Sequence, residues 1–153
     1  MSNSFTQIYI QSVWAVKYRN AQLDKSWRKE LFAVIGNLIN ETGCETLIVN
    51  GVEDHVHCFF KLKPAISVSE VMQIVKGKSS KWLNDTHKTD YRFEWQRGYG
   101  AFSYSKSAIK NVYNYIKNQE EHHRKTEFIP EFIDILEEAE VEYDRDYIFK
   151  DLE

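Results

Sequence analysis

In the run Asp54-His55-Val56-His57-Cys58-Phe59-Phe60, two histidines stand one residue apart within an otherwise apolar stretch. Side chains of an extended strand alternate between faces, so His55 and His57 point one way and Val56, Cys58 and Phe60 the other. Two imidazoles then share one small volume. A divalent cation is the commonest single reason to place them so, although a chance pair of surface or core histidines has the same spacing. Tyr115 and Gln119 are a second chemical pair. Four residues apart on a helix, they stand one turn from each other and can reach one site.

The elements that position these groups can be read from periodicity. Residues 5–17, with Ile8, Ile10, Trp14 and Val16 alternating, predict a strand with one buried face. Asp24 is placed to cap a helix whose Trp27, Leu31, Val34, Ile35, Leu38 and Ile39 recur at helical spacing until Gly43. Residues 46–52 and 55–63 predict an antiparallel pair, closed by Pro64. Ser67-Val68-Ser69-Glu70 is a capping box for a second helix, with a stripe of Val68, Val71, Met72, Val75 and Trp82 and a cationic flank at Lys76 and Lys81.

Between Tyr91 and Ser105 a strand is predicted, interrupted at Gly98-Tyr99-Gly100, and a third helix runs from Lys106 to Arg124. Its buried stripe is Ile109, Val112, Tyr113 and Ile116, which leaves Tyr115, Gln119 and His122 on another flank. This order predicts an α+β fold: a ferredoxin-like βαββαβ antiparallel sheet with helices on one face, plus an additional C-terminal helix carrying the tyrosine. Residues 1–127 form the expected catalytic domain, and 128–153 an acidic C-terminal extension of it. In that extension Phe132, Ile133, Leu136 and Val141 suggest one more amphipathic helix without an evident task. His122 and His123 likewise receive none.

At 153 residues, 42% apolar and 28% charged, the chain matches a globular domain with one core. Its net charge of −3 conceals a split, because residues 1–119 carry 16 Lys or Arg against 10 Asp or Glu while residues 120–153 carry 4 against 13. The body is basic and the tail acidic, so the local field argues for an anionic partner where the total does not. Cys44 and Cys58 read as buried, reduced thiols, and without an apolar leader or long apolar run the expectation is a cytoplasmic protein with no membrane association.

Asp54-His55-Val56-His57 together with Tyr115-Ile116-Lys117-Asn118-Gln119 resembles the HUH superfamily, marked by two histidines around a hydrophobic residue and a tyrosine on a separate helix. More narrowly, the chain is similar to the single-tyrosine transposases of the smallest bacterial insertion sequences and to their relatives associated with repetitive palindromes. Residues 51–57, 78–82 and 93–99 carry that likeness further, over roughly residues 5–125.

The resemblance implies that Tyr115 attacks single-stranded DNA, forms a 5′-phosphotyrosine and frees a 3′-hydroxyl that later rejoins another junction. No nucleotide cofactor is needed. His55, His57 and Gln119 would form an anionless ligand set for Mg²⁺ or Mn²⁺, which polarises the scissile phosphate. The implied partners are hairpin-ended single-stranded DNA and a second copy of the chain, whose histidines the tyrosine can serve. Asp54 and Glu53 are candidates to hold an imidazole tautomer. Lys76, Lys78, Lys81 and Arg97 are candidate phosphate contacts, and Trp95 or Trp82 a candidate stacking platform, with core packing favoured for Trp82. Two other functions fit the same residues: a nucleic-acid-binding module without catalysis, and a metal-dependent phosphodiesterase that uses water.

Overall fold

The computed structural model describes residues 4–17, 23–123 and 127–144. Its elements are β1 (Tyr9–Ala15), α1 (Arg28–Glu41), β2 (Glu45–Gly51), β3 (His55–Lys61), α2 (Val68–Asp85), β4 (Gly100–Tyr104), α3 (Ile109–Lys117), α4 (Gln119–His123) and α5 (Phe128–Glu138). One sheet of order β2-β3-β1-β4, antiparallel at every pairing, gives the expected ferredoxin-like βαββαβ topology. β3 and β1 are central, and the chemistry sits on β3.

Residue alternation divides the sheet cleanly. Ile10 and Trp14 of β1 and Val56, Cys58 and Phe60 of β3 pack with α1 and α2 in the larger core. Tyr9, Val13 and Ala15, with Phe59 and Phe102, face the other side, where Val112 and Ile116 of α3 and Phe128, Phe132 and Leu136 of α5 cover them. Helices therefore lie on both faces, which is why β3 is buried from His55 through Phe60.

Ser67 caps α2 as the capping box predicts, accepting from the Glu70 amide at 3.1 Å. Three sequence expectations need correction. α1 starts at Arg28 rather than just after Asp24, because the Asp24 carboxylate accepts from the Ser26 amide at 2.8 Å and closes a turn ahead of the helix. The predicted helix from Lys106 is a 3-10 turn (Lys106–Ala108), then α3 and α4, broken at Asn118; its predicted end at Arg124 lies outside the described residues. Tyr113 is 38% exposed and not core, since the face of α3 packed on the sheet runs along Ile109, Val112, Tyr115 and Ile116.

Candidate active site

His55 and His57 lie on the α3/α5 side of β3, both fully buried. In the β1 register His57 stands opposite Val13 and His55 opposite Ala15. Each ring has one nitrogen committed to an oxygen on the outside. His55 Nδ1 lies 2.7 Å from Asp54 Oδ1, and His57 Nδ1 lies 2.9 Å from Gln11 Oε1, whose amide nitrogen donates to the Tyr104 hydroxyl at 2.9 Å. Such partners orient the rings and leave Nε2 facing inward. Asp54 thus lies against a histidine. Glu53 does not: its side chain is exposed, and it is its backbone carbonyl that accepts, from the Leu23 amide.

The break after α3 has a local cause. Asn50 of β2 donates its side-chain amide to the carbonyls of Ile116 and Lys117, at 2.9 and 3.1 Å, capping α3 and tying its end to the sheet. Gln119 follows directly, fully buried, with Oε1 3.4 Å from His55 Nε2. The Tyr115 ring stands edge-on to His57 at 5.8 Å between centroids, within the same chain. Its side chain lines a cavity of about 300 Å³ with Gln11, Tyr104, His122 and Glu131.

Glu131 was not foreseen from the sequence. It sits on α5 in the apolar stripe of Phe128, Phe132 and Leu136, 2% exposed, and a carboxylate at helical spacing among buried apolar residues was the available signal. Its Oε1 lies 2.8 Å from His57 Nε2 and 3.6 Å from His55 Nε2, and its Oε2 lies 3.1 Å from His122 Nε2 and 2.5 Å from His123 Nε2. Gln11 was missed as well; its signal was an amide on the buried face of β1, between Tyr9 and Val13. Among the described residues, His55, His57, His123 and Glu131 offer ligand atoms all within 4.8 Å of one another, a spacing and donor chemistry that fit a divalent cation.

Electrostatics follow from this packing. Burial opposes charge on His55, but Asp54 and Glu131 outweigh it and hold the ring above the ordinary imidazole value. Burial pushes His57 down to about 4. Burial also works against the Glu131 carboxylate, yet His123, His55 and His57 hold it far below the usual carboxylate range. Burial, reinforced by the Glu131 charge, raises the Tyr115 phenol well above its ordinary value. The tyrosine keeps its proton unless positive charge enters the site.

A family model described as "Transposase IS200 like" matches residues 4–119. The chain belongs to this transposase family. The transposase for insertion sequence element IS200 of Salmonella typhimurium is 31% identical over 112 residues, covering 70% of this chain and 73% of that protein, and the Salmonella typhi counterpart matches equally. Among solved structures, a putative transposase from Deinococcus radiodurans superposes with a TM-score of 0.62 at 20% identity, covering 78% of this chain and 95% of the other. A REP-associated tyrosine transposase bound to a REP hairpin superposes with a TM-score of 0.58 at 14% identity, covering 99% and 95%. The last two establish likeness of fold.

For a transposase the surface cations matter, and the structure sorts them. Lys78 and Arg97 are exposed; Lys81 is exposed and paired with Asp85 at 2.5 Å. Lys76 is half-buried and donates to the carbonyls of Gln96 and Gly98 at 2.7 and 2.8 Å, so it ties down a loop instead of offering a free charge. Trp95 is also reassigned. It is 8% exposed, packed edge-on to Trp14 and Phe93, and donates its indole N–H to Ser79 at 3.0 Å, so no face is left for a base. Trp82 is half-buried against the larger core with the Lys88 ammonium 5.5 Å from its ring. Lys76, Lys81, Arg92 and Arg97 line an open groove of about 890 Å³ beside these residues. No helix among the described residues is long and apolar enough to cross a membrane.

Proposed function

We propose that this transposase cleaves and rejoins single-stranded DNA through a 5′-phosphotyrosine on Tyr115, with Mg²⁺ or Mn²⁺ held by His55, His57 and Gln119. One observation supports this reading above the others: the Tyr115 ring, both imidazole Nε2 atoms and the Gln119 carbonyl meet beneath one helix layer of a single chain. A divalent cation bound there polarises the scissile phosphate and offsets the charge that keeps Tyr115 protonated.

Tyr115 loses its proton, its oxygen bonds to phosphorus, and the bond from phosphorus to the 3′-oxygen breaks, with that oxygen taking up a proton to leave a free 3′-hydroxyl. The phosphotyrosine conserves the bond energy, so reversal by another 3′-hydroxyl rejoins DNA without a nucleotide cofactor. Asp54 and Gln11 hold the two imidazoles in register, and the packing of α3 and α5 limits access of water. The hairpin in the REP-associated neighbour supports hairpin-ended DNA as the substrate, with Lys78 and Arg97 as phosphate contacts. Residues 1–127 form the catalytic domain on this reading and 128–153 an extension of it, in a cytoplasmic homodimer, with Tyr115 serving the histidines of its own chain. Light scattering tests the dimer, for which a monomer in an active preparation is the contrary result.

The chemical test is direct. Wild type and Tyr115→Phe are incubated with labelled hairpin-ended single-stranded DNA and Mn²⁺ and run on a denaturing gel. A covalent adduct with wild type only is expected; cleavage by both proteins points to hydrolysis by water, and binding without cleavage to a module without catalysis.

A further inference from the structure

The best-buried carboxylate of the site has no part in the ligand set just described. Glu131 is carried on α5, which Phe128, Phe132 and Leu136 hold against Val13, Ala15 and Phe102 of the sheet, with Phe128 stacked on His55 at 4.3 Å between centroids. Removing a carboxylate from water costs several kcal/mol unless its charge is met. Here the groups that meet it are four imidazoles and the Tyr115 phenol.

The directions of those imidazoles are informative. Nδ1 of His55 and of His57 are committed to Asp54 and Gln11, so both Nε2 atoms face inward, 3.6 and 2.8 Å from Glu131 Oε1, the shorter contact being a hydrogen bond. Two acceptors, Gln11 Oε1 and Glu131 Oε1, thus compete for the one hydrogen of a neutral His57 ring. On the other side His123 Nε2 and Glu131 Oε2 approach to 2.5 Å, yet neither buried atom forms a hydrogen bond of acceptable angle. Three imidazoles and a carboxylate whose ligand atoms all lie within 4.8 Å of one another are an arrangement that a shared cation relieves.

We infer that Glu131 and His123 are ligands of the same cation as His55 and His57, making an imidazole-rich centre with one carboxylate in place of an anionless one. The inference rests on the metal-dependent reading above and deepens it. Three imidazoles favour first-row transition ions over Mg²⁺, whose preferred donors are oxygens, so Mn²⁺ is the better-held of the two. It also gives the acidic tail a function, because α5 must dock for the centre to be complete.

The test is Mn²⁺ binding by the full chain, followed by electron paramagnetic resonance with Mg²⁺ as competitor, for wild type, Glu131→Gln, Glu131→Asp, His123→Asn and the exposed neighbour Asp134→Asn. Far-UV circular dichroism checks the fold of each. Loss of a ligand is expected to weaken Mn²⁺ binding at least ~10-fold in Glu131→Gln and His123→Asn, since even outer partners of metal ligands typically cost 10–100-fold. Glu131→Asp should recover part of the loss, and Asp134→Asn should match wild type. Nitrogen modulation of the Mn²⁺ echo should fall in His123→Asn, a readout that mere destabilisation does not move. Unchanged binding in Glu131→Gln overturns the inference; so does tighter binding, which would make the carboxylate a plug. Adduct formation by wild type is scored separately. An adduct with Glu131-independent binding sinks this inference alone, and Glu131-dependent binding without an adduct sinks the transposition chemistry alone.

Discussion

The side-chain carbonyl of Gln11 lies 2.9 Å from Nδ1 of His57, and this contact selects which nitrogen of that ring faces the site. A carbonyl only accepts, so it draws the hydrogen of a neutral ring to Nδ1 and frees Nε2 for a cation, against the competing pull of Glu131 Oε1 at 2.8 Å from Nε2. Gln11→Leu removes the acceptor with little change of volume. It is expected to weaken Mn²⁺ binding about 10-fold or more, as loss of an outer partner does, while urea denaturation shows a stable fold. Unaltered Mn²⁺ affinity would show that the ring is oriented by packing alone.

Gly100 governs the seat of α5. A Cβ there would stand 2.6 Å from Cε1 and 2.9 Å from Cζ of Phe132, a buried ring with little room to yield. Gly100→Ala should cost about 1–3 kcal/mol by overpacking, read from urea denaturation. Since Phe132 and Glu131 are neighbours on α5, the same variant should weaken Mn²⁺ binding in its folded form.

Lys76 supplies a pH dependence whose sign is definite. Burial pushes its ammonium down to about 8, against about 10.4 in an unfolded chain. Between these values the unfolded chain binds more protons, so unfolding becomes harder as pH rises through this window. The stability of wild type relative to Lys76→Met should therefore increase from pH 8 to pH 10. Parallel urea titrations check it, and a flat difference would be the contrary result.

Exposed and buried members of the presumed DNA surface should behave differently. Lys78→Ala and Arg97→Ala are each expected to reduce the salt dependence of binding to single strands by about 0.7 in log–log slope, the effect of one phosphate contact. Trp95→Ala should instead cost about 3–5 kcal/mol in stability through a core cavity, with a normal salt slope for the folded fraction. Binding isotherms at several salt concentrations beside urea curves separate the two.

Alternation and helical spacing were enough to read the order of strands and helices and the common face of His55 and His57, because each of these depends on chain geometry over a few residues. They also brought out Tyr115 and Gln119, which are close in sequence. What alternation could not convey was which side chains from distant segments would close the centre. Gln11 on β1, Asn50 on β2 and Glu131 on α5 reach the site only because β1 pairs with β3 in a particular register and α5 lies across that face. The same packing removed Trp95 from the surface and exposed Tyr113. Local periodicity reports which face of an element is apolar; which neighbour covers that face, and which polar group is buried with it, is decided by long-range packing free energy, to which no single stretch of the chain has access.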